Sequence, residues 1–120
     1  MAYKTYHTEL DKAPETTTAK GVLSCIIPGK LIADFNINGT HYAYNMTISP
    51  AIRAFKSDTA KLTYEDLSQL DFSRSHDGKV GPESYKIQLD NGVLIEGDLE
   101  FPGLEVEAPV VVQGTGSWET

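Results

Sequence analysis

A chain of 120 residues with 40% hydrophobic and 22% charged residues has the composition of one ordinary globular domain, not of a disordered segment. Its formal net charge of −7, from 10 basic and 17 acidic residues, excludes nucleic acid and anionic membranes as main partners, because both demand clustered Lys and Arg. The single cysteine, Cys25, excludes an internal disulfide, and no apolar run reaches the ~20 residues that span a bilayer.

Residues 1–16 have no apolar period and no signal-peptide core, so they read as a tail or an edge strand. The expected location is the cytoplasm, or outside the cell without a recognisable signal peptide. Asn38-Gly-Thr and Asn45-Met-Thr match the glycosylation pattern, which is short enough to arise by chance. A first strand over residues 21–27 holds Cys25 in an apolar run, the setting of a buried, inert thiol. Pro28-Gly29 turns that strand back on residues 31–37 and pairs Val22 with Phe35.

Asn38-Gly39 is the strongest short hairpin signal, because a type I′ turn needs positive φ at both central residues. It pairs Phe35 with Tyr42, Ala33 with Tyr44 and Leu31 with Met46, all on one face. Ser49-Pro50 reads as the cap and first residue of a short helix ending at Phe55. Thr63 reads as the cap of a second short helix over residues 64–70. Ile52, Phe55, Leu67 and Leu70 would cover the sheet, and residues 72–83 read as a polar loop.

Asp90-Asn91-Gly92 makes a three-residue hairpin loop with Gly92 left-handed. Leu89 then faces Val93, Ile87 faces Ile95, and Tyr85 covers Gly97, while Lys86 opposes Glu96 on the other face. Pro102-Gly103 makes a further turn that pairs Leu99 with Val106, Ile95 with Val110 and Val93 with Val112. The last strand then runs from about residue 104 to 118, with Gly114 and Gly116 marking a bend that closes a barrel or turns a sandwich corner.

The expected fold is all-β and mainly antiparallel: a small barrel or a two-sheet sandwich of about six to eight strands built from hairpins. One or two short helical turns separate its third and fourth strands. Residues 1–120 form a single domain. Its interior comprises Val22, Ile26, Leu31, Phe35, Tyr42, Tyr44, Met46, Ile48, Tyr85, Ile87, Leu89, Val93, Ile95, Leu99, Phe101, Val106, Val110 and Val112, enough to fill a small barrel.

Two groups of residues are candidates for chemistry. The inward Tyr42, Tyr44 and Tyr85 either pack with hydroxyls at the rim or give a pocket polar handles. Tyr3, Tyr6 and Trp118, near the termini, either tie down the ends or stack on a sugar. Tyr42, Tyr44, Tyr85 and Trp118 are therefore the candidate ligand-binding residues. The last hairpin also sets Glu100 against Glu105 and Asp98 against Glu107, with Glu96 alongside. Like charges directly opposed destabilise a sheet. A solvated acidic face, a basic partner or a calcium ion would account for them, which makes Glu96, Asp98, Glu100, Glu105 and Glu107 the candidate metal residues.

His7, His41 and His76 match no metal spacing, and His41 falls outward opposite Asn36. Ser73, His76 and Asp77 lie too close together in sequence to form a catalytic triad. No nucleotide-binding motif is present, and no cofactor beyond calcium is expected. The expected function is a non-catalytic binding domain for a small apolar ligand or a glycan. Homo-oligomers would form through the apolar run Pro109-Val-Val-Val-Gln113. The alternatives are a small enzyme with a tyrosine–carboxylate acid–base site at a barrel mouth, and an interaction module using the acidic face of the last hairpin.

Overall fold

The computed structural model describes residues 16–100, 103–104 and 106–120, with Ile26 described by its backbone alone. The expected tail over residues 1–16 lies almost wholly outside the described residues. Eight strands form among the described residues: β1 Thr17–Ile27, β2 Lys30–Ile37, β3 Thr40–Thr47, β4 Phe55–Tyr64, β5 Ser73–Val80, β6 Ser84–Leu89, β7 Leu94–Asp98 and β8 Val110–Glu119. They close into a barrel in the order β1-β2-β3-β8-β5-β6-β7-β4, with every neighbour antiparallel. The barrel alternative is therefore the one realised. No helix among the described residues is long and apolar enough to cross a membrane.

The two Asn-Gly hairpins form in the registers their turns dictate. In β2–β3, Phe35 pairs with Tyr42, Ala33 with Tyr44 and Leu31 with Met46, around Asn38 at φ 52° and Gly39 at φ 84°. In β6–β7, Ile87 pairs with Ile95 and Tyr85 with Gly97, and the Leu89 amide donates to Val93 O at 2.8 Å across the three-residue loop.

Four local readings are corrected. Gly21, not Val22, pairs with Phe35, because a bulge between Ser24 and Ile27 adds one residue to β1. A slip of one residue exchanges the two faces, so Leu23 and Cys25 are buried and Val22 is only half-buried. The first short helix does not form, residues 50–54 carrying no regular element before β4, and the second is a single 3₁₀ turn, Leu67–Gln69, capped by Asp66 rather than Thr63. In β4 the buried Ala60, Leu62 and Tyr64 alternate with outward Lys61 and Thr63, the period of a strand. Of the proposed covering residues, Ile52 and Leu70 are buried and Leu67 is exposed.

Residues 72–83 are largely strand β5 rather than loop. Its ladders run to β6 on one side and β8 on the other. The apolar pairing across Pro102-Gly103 does not form: β7 lies between β6 and β4, and β8 between β3 and β5. The Gly103 amide donates to Glu100 O at 2.7 Å. Leu104 N donates to Pro82 O at 2.9 Å and Leu99 N to Glu83 O at 2.8 Å, so β8 begins only at Val110.

The inward faces meet in one core that includes Leu23, Phe35, Tyr44, Leu62, Ile87 and Ile95, each essentially inaccessible. Each such side chain contributes roughly 1.5–3 kcal/mol relative to exposure. Neighbouring strands approach closely at inward glycines. A Cβ on Gly114 would overlap the carbonyl oxygen of Thr47, and one on Gly21 would overlap that of Asp34. At Gly114 backbone approaches backbone, and the β5–β8 register runs through that position without a shift. Gly114→Ala and Gly21→Ala are each expected to lower the unfolding free energy by about 3 kcal/mol or more in urea melts, since relief needs a strand to move. Val111→Thr, at a solvent-facing side chain, is expected to stay within about 0.5 kcal/mol, and similar small losses in both classes would remove this account of the glycines.

Candidate functional site

Alternation along β5 turns Arg74, His76, Gly78 and Val80 inward and Ser75 and Asp77 outward. The neighbouring ladders extend the outward residues into two polar rows across the barrel wall. In the first, Asp77 pairs with Gln88 on β6 and Gln113 on β8, and Gln113 bridges to Ser49. The Ser49 bridge is held by Ser49 N to Gln113 O at 2.8 Å and Gln113 N to Ser49 O at 3.0 Å. In the second row, Ser75 pairs with Thr115 and receives Asp90 from the β6–β7 loop. The Ser75 amide and hydroxyl donate to Asp90 Oδ2 at 3.1 and 3.2 Å.

Between the rows lies an open groove of about 640 Å³, floored by Leu89, Gly114 and His76. The amide bond from Ser75, followed by the Ser75 hydroxyl and the positive charge of Arg74, holds the Asp90 carboxyl below its usual range. The groove therefore presents carboxylates that accept, amides that do both, and hydroxyls that do both.

Beneath this wall is an interior polar cluster. His76 is 5% exposed; its Nε2 lies 2.8 Å from Thr47 O and its Nδ1 2.8 Å from the Tyr44 hydroxyl. The Tyr44 ring meets His76 edge-on at 5.6 Å between centroids and Trp118 in a tilted stack at 4.9 Å. Burial pushes the Tyr44 phenol up and the His76 imidazole down, so both favour their neutral forms. Trp118 Nε1 and Arg74 Nε are buried and have no hydrogen-bond partner among the described residues.

The residues picked out from sequence do not converge. Tyr44 and Trp118 stack on each other, and Trp118, 7% exposed, ties down the last strand rather than offering an open platform. Tyr85 is separate: buried, it donates to the buried Ser57 Oγ at 3.0 Å, and burial pushes its phenol up to about 12. Tyr42 is half-buried. Upward shifts are those of packed phenols kept protonated.

Asp98 and Glu107 are not opposed, because β7 and β8 are not neighbours. Glu96 instead sits between Lys86 and Lys61, with Lys61 Nζ 3.8 Å away. Asp98 pairs with Ser84, Glu100 and Glu107 are exposed, and Glu105 lies outside the described residues. Among the described residues no group of three or more His, Cys, Asp or Glu side chains is placed to hold a metal ion.

Cys25 is buried, and desolvation raises its thiol, as its apolar run implied. His41 faces outward opposite Asn36 and pairs with Asp34 at 2.7 Å. Ser73 and Asp77 point away from His76, so strand alternation itself separates the triad residues. Sequence reasoning missed Ser49, Ser75, Asp77, Gln88, Gln113 and Thr115, because the strand that joins their rows was read as loop. The signal available was the run Gln113-Gly-Thr-Gly, with polar residues outward at every second position.

No family model, curated protein or solved structure matches this chain.

The two buried phenols give a pH signature. A phenol titrating at about 12 when folded and 10 when free stabilises the fold fully below pH 10 and loses that contribution as pH rises toward 12. Thermal melts are expected to show a loss of about 2 kcal/mol across that window, flatter in Tyr85→Phe than in wild type. At neutral pH Tyr85→Phe is expected to cost about 1–2 kcal/mol, with Ser57→Ala adding little on top, because the orphaned hydroxyl is then removed too.

Proposed function

We propose that this chain is a non-catalytic binding domain whose ligand is a hydroxyl-rich molecule, a glycan, held in the groove across β6, β5, β8 and Ser49. The observation that carries the reading is the pair of cross-strand rows, Gln88–Asp77–Gln113–Ser49 and Asp90–Ser75–Thr115, around one concave space. Sugar hydroxyls both donate and accept. They are matched by neighbouring carboxylate, amide and hydroxyl groups on a rigid sheet, where spacing is set by the ladder.

The volume lies within the range of small-ligand sites, but the lining is polar where such sites are commonly apolar, which favours a sugar over an apolar ligand. The interior supports the same choice. Phe35, Tyr44, Leu62, Ile87 and Ile95 fill the barrel where an apolar ligand would sit. A few net hydrogen bonds of about 0.5–1.5 kcal/mol each, made in an open groove, correspond to affinities of roughly micromolar to millimolar.

The test is a thermal-shift screen against mono- and oligosaccharides, followed by calorimetric titration of any sugar that raises Tm. Asp77→Ala and Gln113→Ala, at exposed positions, are each expected to weaken binding about tenfold or more while moving the unliganded Tm by no more than a few degrees. A sugar that binds both variants as tightly as wild type, or a full panel that raises Tm for none, would count against the groove.

A further inference from the structure

His76 is the one buried histidine among the described residues, and β3 engages both of its ring nitrogens. Thr47 O, 2.8 Å from Nε2, can only accept, so Nε2 carries hydrogen in either protonation state. In the neutral ring Nδ1 must then accept, and Tyr44 O–H donates to it across 2.8 Å. A second acceptor is within reach of the same hydroxyl: Arg74 O, at 3.3 Å. A phenol has one hydrogen, so it serves one of these acceptors at a time.

We propose that His76 and Tyr44 form a proton-operated relay beneath the β3–β8 seam. When the ring takes up a proton, Nδ1–H donates to Tyr44 Oη, and Tyr44 turns its own hydrogen to Arg74 O. One proton enters at Nδ1, one hydrogen bond reverses direction, and a new one forms at Arg74 O. No heavy atom has to move, and no buried hydrogen is left without an acceptor.

The relay lies where the ladder of the seam is interrupted. Ladder pairing runs from Ala43 with Glu119 to Met46 with Gly116 and resumes at Ser49 with Gln113. In the gap, the Thr47 carbonyl turns to His76 instead. Gly114, directly opposite His76 on β5, leaves the ring room to reach it; a Cβ there would sit 3.1 Å from Nε2.

The titratable and charged groups around the ring are Tyr44 on β3, Arg74 and Asp77 on β5, and Asp90 after β6, while β8 presents no side chain at Gly114. Burial holds the imidazole below 6.5, outweighing the Thr47 carbonyl and Asp77, which both favour a charged ring. The folded ring therefore binds its proton less tightly than the unfolded one. Stability is full above pH 6.5 and declines as pH falls below it, until the folded ring itself titrates.

The relay is tested by NMR titration of the His76 ring nitrogens in wild type and in Tyr44→Phe. In wild type the neutral ring is expected to carry hydrogen on Nε2 and to titrate below 6.5. Tyr44→Phe is expected to lower the midpoint further by about half a unit or more, roughly a threefold loss of proton affinity, because the bond lost from the charged ring is the stronger one. A midpoint that rises or stays put in Tyr44→Phe would mean the hydroxyl does not receive the proton's hydrogen bond, and the relay would be wrong. If Tyr44→Phe does not fold, His76→Gln gives a second reading. Glutamine keeps a donor for Thr47 O but does not titrate, so the stability lost between about pH 7 and about pH 5 is expected to shrink relative to wild type. An unchanged loss would overturn the proposal.

Discussion

Closing eight strands into a ring brings neighbouring backbones close together, and at Gly114 the Thr47 carbonyl takes the space a Cβ would fill. Much else follows from that approach. The position must be glycine. The ladder between β3 and β8 breaks there, leaving a backbone acceptor to be satisfied by some other group. His76, from the next strand, passes over the glycine and supplies the donor. Closure also removes the exposed strand edges an open sheet would present, which lets β8 carry a solvent-facing Val111 beside polar Gln113 and Thr115 without offering a free edge.

The sequence was informative where a single turn controls its own hairpin. Asn38-Gly39 and Asp90-Asn91-Gly92 set registers that the apolar pattern repeats, so two independent signals agree. It misled where register depends on something the turn does not control. The Pro28-Gly29 turn predicts one pairing, but the bulge after Ser24 shifts it, and a bulge has no strong residue signature here. Pro102-Gly103 joins two apolar runs that would pair well in isolation. They do not, because β4 and β6 occupy both sides of β7, a choice made by the whole ring and invisible to any local window.

β5 was hidden for a different reason. Its inward residues are Arg74, His76, Gly78 and Val80, so period-two alternation exists but only one position is apolar. Such a strand cannot be held mainly by hydrophobic burial. Ladders to β6 and β8 hold it, with the His76 ring bonded to Thr47 and Tyr44 and the Arg74 charge facing Asp90. The candidate site was illegible for the same reason, since its rows are continuous only when β5 lies between β6 and β8. The four aromatic residues picked out from sequence were placed on the right strands, but as packing: Tyr44 and Trp118 stack on one another and Tyr85 closes on Ser57.

Placing a polar strand in the wall of a packed barrel costs desolvation at Arg74 and His76 that an apolar strand would avoid. Sequences that fold well usually violate local patterning at few places, and those places concentrate where function sits. Here the violation has two faces with different chemistry. Outward, β5 supplies Ser75 and Asp77 to the centre of the groove. Inward, the same residues' neighbours, Arg74 and His76, hold the seam that borders it. Adjacent residues on one strand cannot shift independently, because each is fixed by the same backbone bonds on both sides. His76 and Asp77 are thus held by one pair of ladders, and β5 is the element that carries both the interior polar cluster and the outer polar row.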